Sequence, residues 1–455
     1  MGEMSECGVT DHLLAGRTDA ALSGVRRMLA RADLQLPDSP RLAAANLLRA
    51  RTRLRMRGYR LAARGRARAT GQARKQLDRT FAAVKALALL DGLLADVVQS
   101  RHLLLALRRA DAGHVARGLA GEAVFLASFS ESARRRAEGV IERAADLASA
   151  TDDELARALI PAARGFVSAS AGYFSEARDA WREACAVIRG LDEGALINVR
   201  VGAWAQGALF YLGELRELTR QVDGARDHFS RLWSHSGSSN LIWLVRDDVG
   251  AAMAAVEEAE RAGAHLSEMI LRSVVARAHI DLYRGEGAGA RRRVHESWPA
   301  FADARLLRSQ RLRIEAHCLR ARCALAAAAC GDDPPMRLAD AEHDIAEIER
   351  ERLPWSNALS RPLRAALALQ RGNRDGARAW LRAAEGDLDR RGMALHLAAT
   401  WRGHGELLGD ADRVRRADRW LRDQGVVDPA ALAAVVVPGL VPPSSGGSAG
   451  SGSPG

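Results

Sequence analysis

The chain has 455 residues with 48% hydrophobic side chains, enough for a sizeable buried core, but only 5% aromatic residues. It carries 67 Lys+Arg against 56 Asp+Glu, a net +11 with just two lysines, Lys75 and Lys85, so nearly every cation is arginine. This balance excludes an acidic disordered chain, and it excludes chemistry that needs a lysine anywhere but those two positions.

Ala, Leu and Arg enter helices at low entropic cost, so the composition favours helix throughout. The start, MGEMSECGVTDHL, has acids where a secretory leader carries basic residues and lacks an apolar stretch. No apolar run reaches the ~18 residues of a membrane span. Five cysteines, Cys7, Cys185, Cys318, Cys323 and Cys330, are odd in number and too scattered for a disulfide framework. These features read as a cytoplasmic, soluble protein. The start runs into a repeat-like segment without a polar cap, which favours a chain cut from a longer one.

A repeat begins at Gly16. Aligning Gly16, Gly172, Gly285, Gly372 and Gly409 places Ala21, Ala177, Ala290, Ala377 and Val414 five residues on. Nine residues on stand Val25, Trp181, Val294, Leu381 and Asp418, and twelve on stand Met28, Ala184, Ser297, Ala384 and Leu421. These offsets share one helix face, and glycine suits the turn before it. Asp418 and Ser297 stand where apolar residues belong. Weaker copies surround Gly213, Gly250 and Gly331. The pattern, as in AGYFSEARDAWREACAVI (171–188) and QRGNRDGARAWLRAAEGDL (370–388), is similar to the second helix of a tetratricopeptide repeat. The spacing is longer and less regular than that repeat's ~34 residues. The expectation is all-α: an irregular tetratricopeptide-like helical-hairpin solenoid over 1–440, with ~9–11 helix pairs of ~40 residues.

Residues 41–79 hold twelve arginines and Lys75 against Asp78 alone, so the rest of the chain is near neutral. Within RARTRLRMR, Arg49, Arg51, Arg53, Arg55 and Arg57 alternate with other residues. On a helix that spreads charge around most of the circumference. The five are candidate anion-binding residues, for nucleic acid or an anionic membrane. The plainer reading is a solvated helix whose Arg stems cover apolar neighbours. Tyr59 is the only aromatic available for base stacking, and no helix-turn-helix or zinc-finger pattern accompanies it.

Further along, GEGAGA (285–290) lacks the G-x-G-x-x-G spacing and reads as an inter-helix turn. His317, Cys318, Cys323 and Cys330 lack C-x-x-C spacing, and Cys323 and Cys330 read as small hydrophobes two turns apart on one helix. Prolines punctuate: Pro37 and Pro40 mark a loop, Pro334 and Pro335 another, and Pro354 and Pro362 frame a helix start. VVV (435–437) is too short to change the class. Nine tryptophans, Trp181, Trp204, Trp233, Trp243, Trp298, Trp355, Trp380, Trp401 and Trp420, mostly keep helical spacing from apolar residues and read as core. Any that line a concave face would anchor a peptide. The tail PPSSGGSAGSGSPG (442–455) has nothing to bury and is expected to be disordered, from 441 on.

No metal or cofactor motif is present, and neither lysine follows a glycine as a phosphate-binding loop requires. H-R-D, D-F-G and A-P-E are missing, as is a G-x-S-x-G elbow. Several phrases nevertheless resemble a known region: SRHLLLALRRADAGHVARGLAGEAVF (100–125), LFYLGELRELTRQV (209–222), IDLYRGEGAGARRRVHESWPAF (280–301), RLRIEAHCLRARCALAAAA (311–329) and ADRWLRDQGVVDPAALAAVVVPG (417–439). DLQLPDSPRLAAANLLRARTRLRMRGYR (33–60) matches further upstream. Together they resemble the C-terminal tetratricopeptide-like region of multidomain bacterial serine/threonine protein kinases. Those proteins place a kinase domain and an AAA/STAND-like ATPase module before it. The resemblance implies a non-catalytic module, without cofactor, that binds a protein or peptide, such as a kinase or ATPase module. The alternative is an anion-binding regulator using 41–79.

Overall fold

A computed structural model describes residues 6–61, 69–264 and 266–440. Among the described residues there are 23 α-helices, two short 3-10 turns and no strand, so the expected helical class holds. The expected tail from 441 on lies outside the described residues, as do Arg64, Arg66 and Arg68 of the basic segment.

The chain opens with α1 (Glu6–Leu14) and α2 (Thr18–Ala30), followed by α3 (Pro40–Arg57), α4 (Gly71–Leu90), α5 (Gly92–Arg109), α6 (Ala112–Ala127) and α7 (Glu131–Ser149). Next come α8 (Glu154–Ala171), α9 (Phe174–Ile188), α10 (Ala195–Leu212), α11 (Leu215–Asp223), α12 (His228–Ser234), α13 (Leu241–Val245) and α14 (Val249–Gly263). The remaining helices are α15 (Ser267–Tyr283), α16 (Gly287–Asp303), α17 (Gln310–Ala329), α18 (Pro334–Arg350), α19 (Pro354–Gln370), α20 (Arg374–Arg390), α21 (Ala394–Leu408), α22 (Ala411–Asp423) and α23 (Pro429–Val436).

The hairpin register is set by one residue of positive φ. Gly16, Gly172, Gly285, Gly372 and Gly409 all lie between 70° and 84°, and a helix starts two residues later. Ala21, Ala177, Ala290 and Ala377, five residues on, are fully buried, as are Leu381 and Ala384 on the same face. The copy placed at Gly250 is displaced. Gly250 lies inside α14, and the turn residue is Asp247 (φ 59°). Ala110 (φ 56°) makes a further hairpin whose turn carries no glycine. In both, the next residue is an aspartate whose carboxylate accepts a helix N–H: Asp111 from His114 at 2.9 Å and Asp248 from Ala251 at 2.8 Å. The cap satisfies an orphan donor and offsets the strained turn. Asp418 is equally explained: it accepts from Arg402 Nε of α21 at 2.9 Å.

Prolines do not only punctuate. Pro40, Pro334 and Pro354 do start helices, where a missing N–H is harmless. Pro161, Pro299 and Pro362 instead sit inside α8, α16 and α19. Each interior ring removes a ladder bond. Pro161 and Pro362 are buried in the core, whose packing offsets that loss.

Neighbouring pairs stack as a solenoid does, but the array also folds onto itself. One core runs from Ala158 to Leu440, and another joins α1, α2 and α4 to Phe229 and Trp233 of α12. The Gln310 N–H at the start of α17 donates to the Ser128 carbonyl after α6 at 2.7 Å. Trp355 at the start of α19 donates its indole N–H to the Ser170 carbonyl at 3.1 Å. Val427 donates to the Val245 carbonyl at 2.9 Å, and Arg322 of α17 donates to the Val435 carbonyl at 3.0 Å. The Gln310–Ser128 closure brings sequence-distant helices around a common space.

Candidate functional site

That space is a cavity of about 520 Å³ walled by α4, α5, α6, α8, α10, α17 and the 303–309 connection. Small residues, Ala95, Ala120, Gly121, Ala162 and Ala163, form its closest walls. A side chain at Gly121 would meet Gln99, whose amide donates to the Gly118 carbonyl at 2.6 Å. Phe125, Phe129, Phe166 and Trp204 line the cavity and keep part of their surface exposed. They form two aromatic pairs: Phe125–Phe129 with centroids 4.7 Å apart, and Phe166–Trp204 at 4.9 Å.

Most charges on the wall are neutralised. Arg117 forks onto Asp153 at 2.8 Å and reaches Glu193 at 3.2 Å. Lys85 donates to the Glu193 carbonyl at 2.9 Å. Arg200 pairs with Glu268 at 3.0 Å, and Arg311 with Glu315 at 3.2 Å. Four wall charges differ: half-buried Asp96, exposed Asp303, and Arg305 and Arg308 make no side-chain hydrogen bond or ion pair with any described residue. Burial raises the Asp96 carboxyl to about 7, with Arg308 and Arg51 opposing and Glu122 and Asp91 reinforcing the rise.

Three buried histidines shift the other way. Desolvation holds His102 and His279 neutral well below their usual range and lowers His396 to about 3. The unfolded chain therefore binds protons that the folded chain refuses, and stability should fall as pH drops below about 6.5. Asp96 carries the opposite sign. Its folded carboxyl titrates near 7 and its unfolded one near 4, so the stability it contributes at low pH is lost as pH rises through that window. Asp96→Asn is expected to stabilise the protein relative to wild type more at pH 8 than at pH 4. Urea unfolding at both values checks this, and an equal effect at the two would contradict it.

The five sequence-selected arginines separate by face. Arg51 is drawn inward, where both its terminal nitrogens meet the buried Glu122 carboxylate and its guanidinium lies 4.0 Å over Phe125. Tyr59 donates its hydroxyl to the same carboxylate at 2.6 Å. Arg57 donates to the Leu107 carbonyl at 3.1 Å. Arg49 and Arg53, one turn apart, line an open cleft against α5, and Arg55 is exposed outside both cavities. Of the tryptophans, Trp181, Trp233 and Trp355 are core, Trp380 is exposed, and Trp204 faces the cavity. Nothing in the sequence marked Asp96, an ordinary polar residue in a helix.

Cys323 is fully buried and Cys318 nearly so. Cys330 caps the end of α17. Among the described residues no group of three or more His, Cys, Asp or Glu is placed to hold a metal. No described helix is long and apolar enough to cross a membrane. No protein-family model matches the chain, and no curated protein matches it.

Proposed function

We propose that the chain is a non-catalytic helical-repeat module that binds a segment of a protein partner in its central cavity. The resemblance of its phrases to the C-terminal region of bacterial serine/threonine kinases supports a role in a kinase signalling system in the cytoplasm. A kinase or ATPase module would then be the partner.

The observation that carries this reading is the cavity wall: paired, partly exposed aromatics beside the half-buried, unpaired carboxylate of Asp96. Aromatic anchors in a concave site are where binding energy concentrates. Asp96 would be neutralised by a cation. The fitting occupant is a peptide segment with a lysine or arginine beside apolar side chains.

Selecting peptides from a random display library on the full chain tests it. Basic-apolar sequences should emerge. Their affinity should fall about tenfold or more on Trp204→Ala or Asp96→Asn, the loss expected for one buried anchor or one charge-assisted hydrogen bond. Circular dichroism should show both variants folded. Selected peptides that bind both variants as tightly as wild type would overturn the reading.

A further inference from the structure

The cleft that holds Arg49 and Arg53 is separate from the central cavity. It measures about 620 Å³ and opens between α3, α5 and the chain leaving α2. Three more arginines enter it from α5: Arg101, Arg108 and Arg109. Positions 101, 108 and 109 share one face of that helix, as 49 and 53 share one face of α3. Among the described residues, Asp33 is the only acid in the lining.

None of the five guanidinium groups has a carboxylate partner among the described residues. Arg101 donates to the Gln35 carbonyl at 2.9 Å and to Asn46 Oδ1 at 3.0 Å. Arg109 reaches Gln76 Oε1 at 3.3 Å, and Arg108 only its own helix at 3.4 Å. Arg49 and Arg53 make no hydrogen bond or ion pair at all with described residues. Arg101 is half-buried and the other four are exposed, whereas buried or half-buried Arg117, Arg134 and Arg364 elsewhere meet Asp153, Glu131 and Glu349. Five unpaired cations in one concavity repel one another, and burial first, then the charge of Arg53, lowers the proton affinity of Arg101.

We propose that this cleft is a binding site for a small multiply charged phosphate anion, a di- or triphosphate group, gripped between α3 and α5. Guanidinium groups match phosphate oxygens two at a time and stay charged. The volume suits a small ligand. The charges converge on a hollow rather than spreading over a convex face, as a duplex or a bilayer would require. Arg55, one turn past Arg51 on the opposite side of α3, is outside it.

Titration calorimetry of the full chain with tripolyphosphate tests the proposal. One site per chain is expected, weakening as salt rises from 50 to 200 mM. Arg49→Ala/Arg53→Ala should weaken it at least tenfold, and both residues lack partners, so the fold should survive. Arg55→Ala should leave it unchanged, and so should Trp204→Ala and Asp96→Asn, which separates this site from the central cavity. Absence of tripolyphosphate binding at low salt would overturn the proposal. So would tighter binding of a single-stranded oligonucleotide or phosphatidylglycerol vesicles, or equal losses in Arg55→Ala and Arg49→Ala/Arg53→Ala, which would indicate a diffuse basic surface.

Discussion

Replacing Trp355 with alanine is expected to destabilise the fold by about 3–5 kcal/mol, the loss usual for a buried Trp. The indole is completely buried, and its N–H is spent on the Ser170 carbonyl. Its ring meets Phe174 and Tyr211 edge-on, with centroids 5.9 and 5.8 Å away. Gly172 makes room for it: a Cβ there would lie 2.5 Å from Trp355 Cβ, and its φ of 84° disfavours any other residue. Truncation leaves a cavity, an unpaired carbonyl and a loosened join between α19 and the α8–α9 corner. Because that join links distant parts of the array, the whole melting transition should move down as one. The exposed Trp380 supplies the control, and Trp380→Ala should cost less than about 1 kcal/mol. Equal losses in the two variants would contradict the closed arrangement.

Arg51→Ala is expected to cost about 3–5 kcal/mol, because it strands a buried charge. Glu122 has a side chain 1% exposed and stands twelve residues after the Ala110 turn. Other hairpins place Met28, Ala184 or Ala384 there, which need no counter-ion. Tyr59 adds a second donor, and its phenol is held protonated far above its usual range, by burial first and by Glu122 second. The double change Arg51→Leu/Glu122→Leu should recover much of the loss, since apolar pairs of similar volume replace buried ion pairs well. Chemical denaturation of the three proteins decides it. If Arg51→Ala left stability unchanged, the arginine would be solvated and free to serve a ligand.

The repeat register was legible at Gly16, Gly172, Gly285, Gly372 and Gly409, where a glycine supplied the positive φ. It was not legible at Ala110 or Asp247, where an aspartate cap and the surrounding packing hold a strained residue that local propensity disfavours. Alternation along RARTRLRMR was visible, but the division of labour between Arg51 and Arg53 was not. Arg51 answers to Glu122, 71 residues away, and Arg53 to the positions of three arginines on another helix. Pro362 looked like part of a helix start because the packing that buries it inside α19 is not written in its own segment. The central cavity was invisible for the same reason. It exists because α17 reaches back to Ser128, and no window of sequence contains both ends of that bond.

Photo-crosslinking tests the central claim most directly. A peptide selected on the full chain, carrying one benzophenone side chain, would be bound, irradiated and mapped by mass spectrometry. Binding inside the closed array predicts crosslinks to the segments around Phe125–Phe129, Phe166 and Trp204, competed away by unlabelled peptide. Crosslinks confined to the outer helices, around Val187 or Trp380, would contradict it.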